Sequence, residues 1–479
     1  MRILITAYDL EQVEHRGIAV YSKGLIHCLA EAGAEIWLLT QFALPKQPRV
    51  PSNLDGDHRS AEIDRLVDLF DPSSSSSSSS RLGGRLALLG LARKLFEIVQ
   101  RVLISVPYLV GSRIYRRADM RYLKLKDLRD PGRLDSDRLF FLRRVSGFVC
   151  APNLYRASQI AALVPVAKPF RVDCEGFDFL VTACPLFIRP ASGRTKLVQT
   201  VHDLIPLQYY GSGNRYLFLR TLLASSSAQR IFVSCATSRL FYEYFGSRRL
   251  VNGRLERVPD CVLFQRPSLA MLDGDVSRTE LLGRVGEEGL KPFKYILFNS
   301  FIEPRKNVEF LIRVFGESGL ASEGYQLCIV GKKQQLAYSQ SIEELSRQTA
   351  GVRLVGYVDE VKKAALFLYA GMLASPSHLE GFGIPVLDAA CLGLPVMAST
   401  CEAYQELFDY RDFSRYMTLI SIDRPAEWVQ SLGAVKLRGE CDPDMAELIV
   451  QQRLSRYRRK TGIIEAEMMR SLQRVIAQF

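Results

Sequence analysis

The 479-residue sequence has no apolar run long enough to cross a bilayer. A spanning helix needs about 20 apolar residues, and the most apolar stretch, residues 99–110, is broken by Arg101 and Pro107. The first residues, Met1 to Asp9, also lack the apolar core of a signal peptide. Both absences predict a cytoplasmic chain. The 10 cysteines contain no C-x-x-C pair and no tight Cys/His cluster, which argues against the common zinc frameworks. They read as buried thiols of a reducing compartment, Cys235 and Cys328 among them. No P-loop, G-x-S-x-G or H-E-x-x-H occurs, and no G-x-G-x-x-G follows the first strand. These absences argue against P-loop NTPases, serine hydrolases of that type, zinc proteases and dinucleotide enzymes. D-x-D tripeptides occur at Asp55/Asp57, Asp135/Asp137, Asp273/Asp275 and Asp442/Asp444. All lie in polar or weakly patterned stretches, so the expectation is no metal and no other cofactor.

Charge is present in excess but in one place. The net charge is +12, and residues 81–144 hold 16 Lys and Arg against 6 Asp and Glu, so +10 of it sits there. Such a block suits an anionic partner. The expected contact is peripheral, at the inner face of an anionic membrane, and the alternative is a solvated helical face. No nucleic-acid-binding module accompanies the block, so no nucleic-acid partner is expected.

The order of elements is a strand at Arg2 to Thr6, a helix opened by Gly17, and a strand at Glu35 to Leu39. That is a βαβ start. Residues 41–145 break the pattern and read as an insertion, with a Ser-rich linker at 73–80 and a basic, Leu-rich helical block at 81–144. Strand signals return at Phe148 to Ala151, Phe179 to Ala183, Leu197 to Val201 and Ile231 to Ser234. Residues 265–292 show no strand pattern and take the domain junction. Strands and helices then alternate regularly from Tyr295 to Ile422, which argues a parallel, doubly wound sheet. The predicted fold is α/β: two Rossmann-like domains, 1–280 and 290–440, facing each other across a cleft. A helical tail, 444–479, packs back on the first domain. Ligands of such sheets bind beyond the carboxyl ends of the strands.

Three motifs fall at such ends. In Ala374 to Ser399, a strand runs into a loop with Gly381, Phe382 and Gly383, then a helix with Pro385 in its first turn. The glycines let backbone N–H groups approach a ligand, and the helix N-terminus favours a diphosphate. Glu380 and Asp388 are placed so that both carboxylates can face one ligand and accept bonds from hydroxyls. In Ile296 to Asn307, Arg305 and Lys306 stand near a helix start, where two cations can neutralise a departing diphosphate. In Leu197 to Pro206, His202 and Asp203 end a strand.

These stretches resemble the family-4, mannosyltransferase-like group 1 glycosyltransferases of GT-B fold. The likeness covers most of 1–40 and 180–430 and rests on E-x7-E with G-x-P-V, E-x-R-K-N and His-Asp-Leu-x-Pro. Asp388 stands where the family usually has Glu. The resemblance implies a retaining hexosyltransferase, with mannose among the sugars, that uses a nucleotide-diphosphate sugar. The acceptor would be a glycan or lipid-linked molecule of polysaccharide or lipopolysaccharide synthesis. It implies that Glu380 lies beside the donor sugar, Asp388 holds the ribose, Arg305 and Lys306 grip the diphosphate, and His202 touches the donor sugar. Gly17, within Arg16-Gly17-Ile18, and Asp203 would lie on the acceptor side. The alternative is a non-catalytic scaffold of the same fold or an anionic-surface-binding protein.

Overall fold

A computed structural model describes residues 1–12, 15, 17–44, 55–71, 114–136, 138–209, 214–225, 228–246, 249–251, 254–256, 261–274, 277–334, 336–436 and 442–477. The chain forms two compact units. The first is Met1–Phe232 with Phe241–Leu263 and Met469–Phe479; the second is Val233–Leu240 with Phe264–Met468.

The first unit is built on an eight-stranded sheet. Its order is Cys261–Val262, Gln229–Phe232, Lys196–Val201, Phe179–Thr182, Arg2–Thr6, Glu35–Thr40, Gly147–Cys150 and Arg121–Lys124. All neighbours pair parallel except the last, which is antiparallel. The central strands are buried from end to end, as in Ile3–Thr6 and Ile36–Thr40. Covered on both faces, they read as continuous rather than alternating apolar runs. The helix Gly17–Glu31 returns the chain between the first two strands.

The second unit carries a six-stranded, all-parallel sheet in the order Val352–Gly356, Gln326–Val330, Tyr295–Asn299, Met372–Ser375, Val396–Ala398 and Met417–Leu419. Its helices bury one stripe each. Val308–Glu317 turns Val308, Leu311, Ile312 and Phe315 inward at helical spacing. The loops at the carboxyl ends are stitched together. Ile302 N–H donates to Lys332 O at 2.9 Å, and Gly331 N–H to Gly356 O at 2.8 Å. Gly331 has φ +150°, and a Cβ there would stand 1.7 Å from Ser300 O. Only glycine lets these two loops touch, which fixes the floor beneath residues 303–306.

Several expectations are corrected. The first unit ends at Leu263 rather than at 280. Residues 264–280 belong to the second because Ser268 and Leu269 are bound to Asp388 and Tyr457 of that unit. Residues 265–292 include a helix, Arg278–Glu287, started by Ser277, whose hydroxyl accepts from Glu280 N–H. The tail is one helix, Pro443–Ala477. Up to Met468 it is part of the second unit, through Arg453 to Ala370 O at 2.8 Å and Arg456 to Asp412 at 2.8 Å. Only its last residues, from Met469, count with the first.

The insertion differs most. Within 41–80, Asp55–Phe70 is a helix with Ile63, Leu66, Val67 and Phe70 buried. The eight-serine run and 81–113 lie outside the described residues. The rest of the supposed helical block, 114–144, is short strands and 3-10 turns rather than helix. Pro131 and Gly132 break helical continuation there, with Asp130 capping the turn. Five of its ten cations have ion-pair partners among the described residues. Arg121 pairs with Glu62, Arg129 with Asp64, Arg133 with Asp68, Arg143 with Asp135 and Arg144 with Glu31. Among the described cysteines Cys28, Cys150, Cys174, Cys184, Cys328 and Cys391 are buried thiols. Cys235 is exposed instead, because it opens the helix Cys235–Phe245.

Candidate functional site

In the second unit, the chain leaves strand Tyr295–Asn299, passes Glu303, and makes a 3-10 turn, Pro304–Lys306. The adjacent strand Met372–Ser375 leads to the loop 376–383 and helix Ile384–Leu392. The two loops are tied by His378 N–H to Arg305 O at 2.9 Å and Arg305 Nη1 to Leu379 O at 2.8 Å. Glu380 is the centre of the resulting cluster. Its Oε1 accepts from Lys306 Nζ at 2.5 Å, Ser377 Oγ at 2.8 Å and Tyr404 OH at 3.1 Å. Its Oε2 faces Arg305 Nη1 at 3.4 Å. Arg305 is also paired with Glu303. The Glu380 and Lys306 side chains are 9% and 8% exposed, so the pair is shielded from solvent.

Burial alone would raise the Glu380 carboxyl. Lys306 and Arg305 outweigh it and hold the group below the usual carboxylate range. Glu380 is therefore an anion at neutral pH, an acceptor rather than a proton donor.

Gly383 makes the turn into the helix. Its φ is +96°, and a Cβ would stand 2.6 Å from the Tyr404 ring. The helix it opens has first-turn N–H groups with no partner inside the helix and a positive dipole end. Gly381 is held by its carbonyl, which accepts from Ser234 Oγ at 2.7 Å and Thr237 Oγ1 at 3.3 Å. Phe382 is buried, edge-on to Phe264 with ring centroids 4.9 Å apart.

Asp388 does not join the cluster. It is 1% exposed, and its carboxylate accepts from Ser268 N–H at 2.6 Å and from the Ser268 hydroxyl. Burial pushes its carboxyl up to about 6, against the hydrogen bonds from Ser268. Glu380 lies on the loop, whereas Asp388 anchors the chain at 268 inside the unit.

The other expected residues belong to the first unit. His202 follows strand Lys196–Val201. Its Nε2 lies 2.7 Å from Ala183 O, and its ring meets Tyr21 edge-on at 4.9 Å. A carbonyl only accepts, so Nε2 carries the proton. Burial depresses the imidazole to about 4, which makes it neutral at physiological pH. Tyr21 comes from the helix that begins at Gly17, and its hydroxyl reaches Thr200 Oγ1 at 3.1 Å. Gly17 itself is an exposed first residue of that helix. Asp203 accepts from Ile205 N–H at 3.0 Å, just ahead of the short helix Ile205–Gln208.

Sequence reasoning missed Ser377, Tyr404, Ser234 and Thr237. Ser377 stands three residues before Glu380 and was within reach of a careful reading of the loop. Tyr404 has no spacing signal, because only the fold brings it there.

Residues 287–414 match the family described as Glycosyl transferases group 1. The serotype-specific mannosyltransferase WbdA of Escherichia coli is 28% identical over 235 residues, which is 45% of this chain and 27% of that protein. The O-antigen chain mannosyltransferase B of Escherichia coli is 29% identical over 116 residues, 24% of this chain and 30% of that one. The matched stretch thus spans only about a quarter of the length of the first curated relatives. Among solved structures, Anabaena Alr3699/HepE in complex with UDP and glucose has a TM-score of 0.54 at 13% identity, covering 100% of both chains. Sucrose-phosphate synthase from Thermosynechococcus elongatus has a TM-score of 0.57 at 13% identity, also covering 100% of both. Likeness at that identity is a likeness of fold. Among the described residues no helix is long and apolar enough to cross a membrane. The chain thus carries, at 287–414, a stretch that matches the group 1 glycosyltransferases, and its two sheet-based units share the fold of these solved structures.

Proposed function

We propose that the protein moves a hexose from a nucleotide-diphosphate sugar to a glycan or lipid-linked acceptor, with retention at the anomeric carbon. The observation that carries this reading is the Glu380 carboxylate held with Lys306 and Arg305 beside the Gly383 helix start. In the proposed reaction the C1–O bond to the diphosphate breaks as the acceptor oxygen bonds to C1, and the acceptor's proton passes to an oxygen of the leaving diphosphate. Lys306, Arg305 and the first-turn N–H groups of helix Ile384–Leu392 take the growing charge on the leaving diphosphate. Glu380, kept anionic by the same cations, accepts a hydroxyl of the sugar. Because fixed cations and a helix end supply the charge stabilisation, the reaction is proposed to need no metal, and EDTA should leave it unchanged.

A polysaccharide or lipopolysaccharide acceptor is supported by the O-antigen and serotype mannosyltransferases among the relatives. UDP is supported by the Anabaena complex, and GDP-mannose by the mannosyltransferases. Contact with an anionic membrane through 81–144 is also proposed. Since many of the described arginines are already paired, flotation on anionic vesicles should be weak and salt-sensitive. Titration of UDP and GDP, with EDTA present, against wild type and Arg305→Ala tests the main reading. One nucleotide should bind, and the variant should bind it about tenfold or more weakly. Binding of neither to wild type would refute the donor site. The anomeric configuration of the product, read by NMR, tests retention.

A further inference from the structure

We propose that Tyr404 is a positioning residue for Glu380: with Lys306 and Ser377 it occupies Oε1, so that Oε2 is the oxygen presented to a sugar hydroxyl. This rests on the donor-site reading above and specifies it.

The Tyr404 hydroxyl is buried and has one proton to give. It lies 2.5 Å from Ser375 Oγ and 3.1 Å from Glu380 Oε1. A carboxylate only accepts, so the phenolic proton is directed to Glu380, and Ser375 donates to the phenol in turn. Ser377 Oγ at 2.8 Å and Lys306 Nζ at 2.5 Å aim at the same oxygen. Three donors converge on an atom with two lone pairs, and nothing more fits there. Among the described residues Oε2 meets Arg305 Nη1 at a long 3.4 Å, so it keeps acceptor capacity. The carboxylate plane is thus fixed on one side and open for a hydroxyl on the other.

The same tyrosine has a second contact. Its ring packs against Gly383, at a distance that leaves no room for a Cβ. One side chain therefore sets both the carboxylate and the glycine that starts the helix. Tyr404→Phe separates the two roles, since it keeps the ring and deletes the hydroxyl.

The test is titration of the full chain with UDP and UDP-glucose, and with GDP and GDP-mannose. The readout is the ratio of sugar-nucleotide to nucleotide affinity. Tyr404→Phe should lower that ratio about five- to tenfold while the nucleotide alone binds within about twofold of wild type. Ser377→Ala should do the same, and the double variant should lose less than the two losses combined. Ser377→Ala carries the test if Tyr404→Phe does not fold. An unchanged ratio in a folded Tyr404→Phe would overturn the proposal and leave the ring packing as the whole role. A wild type that binds no sugar nucleotide would show that the donor reading itself is wrong, and this inference would fall with it.

Discussion

Each unit places carboxylates in loops at the carboxyl ends of its parallel sheet, and the two sets have opposite electrostatics. In the second unit Glu380 is buried beside Lys306 and Arg305 and is held below the ordinary range. In the first, Asp9 and Glu11 follow strand Arg2–Thr6. Burial pushes both carboxyls up to about 7, and no cation is among the causes that act on them. Glu11 Oε1 accepts from Gln41 N–H at 2.9 Å, but neither Asp9 oxygen has a hydrogen-bond partner among the described residues. The same fold therefore holds one carboxylate as a fixed anion and two as groups that are partly protonated at neutral pH. Burial sets the demand in both places. The presence of a cation decides whether it is met by pairing or by protonation.

The largest expected effect breaks the paired side. Lys306→Met leaves a buried carboxylate with two hydroxyl donors, Ser377 and Tyr404, and a long contact to Arg305 as its nearest cation. It should destabilise the fold by about 3–5 kcal/mol in urea unfolding. Glu380→Gln in the same chain should recover most of that, because the stranded charge is gone. An undiminished loss in the double variant would mean that the lysine packs rather than pairs. The pH dependence has a definite sign here. A carboxyl depressed in the folded state stabilises above its unfolded value, near 4.5, and that stability is lost as pH falls through its lower folded value.

The unpaired side has the opposite sign. Asp9 rises from 3.8 to about 7 on folding, so the folded state binds the proton more tightly. Stability then falls as pH rises through that window. Asp9→Asn removes the penalty and should stabilise the protein at pH 8 by about 2–4 kcal/mol, with the difference vanishing near pH 4. A destabilised variant at pH 8 would show that the anion has a favourable partner.

His202 gives a smaller, separate check on the first unit. Its imidazole falls from 6.5 to about 4 on folding. It thus contributes stability that is complete above about pH 6.5 and lost toward pH 4. His202→Gln, able to donate to the Ala183 carbonyl, should flatten acid unfolding in that range by about 1–3 kcal/mol. An acid-unfolding curve identical to wild type would remove His202 from the account.

The second unit was the more legible of the two. Its strands are buried on both faces and its helices carry a single apolar stripe, so periodicity alone placed Tyr295–Asn299, Gln326–Val330 and the helices between. Arg305, Lys306 and Glu380 were legible because each stands just past a strand end, where backbone geometry leaves little choice. The insertion was not. Asp55–Phe70 is a helix whose polar majority hides four buried apolar side chains, and the arginines of 114–144 looked like a free cationic face. Their partners Glu62, Asp64 and Asp68 lie on that unrecognised helix. Charge composition reports totals, whereas pairing depends on which turns come together. Tyr404 was invisible for the same reason: 24 residues separate it from Glu380.

Asp388 sharpens the comparison most finely, because it lies in the paired unit yet behaves like the unpaired carboxyls. Its group rises to about 6 on folding, chiefly through burial. Ser268 supplies an N–H and a hydroxyl, but hydrogen bonds alone do not offset the loss of water around a charge. Asn fits the same space. Its carbonyl accepts from Ser268 N–H, and its amide donates to the Ser268 hydroxyl oxygen. Asp388→Asn should therefore gain about 1–2 kcal/mol at pH 8 and nothing near pH 4, with nucleotide affinity within about twofold of wild type. Asp388→Glu keeps the carboxylate but forces one more methylene against Ser268. It should cost about 1–3 kcal/mol, unless the longer side chain leaves this contact. In that case nucleotide affinity rises while stability falls, as the anchor at 268 is given up. If Asp388→Asn instead lost nucleotide affinity about tenfold, the carboxylate would have to turn outward when nucleotide binds, and the anchor to Ser268 would be a resting contact only.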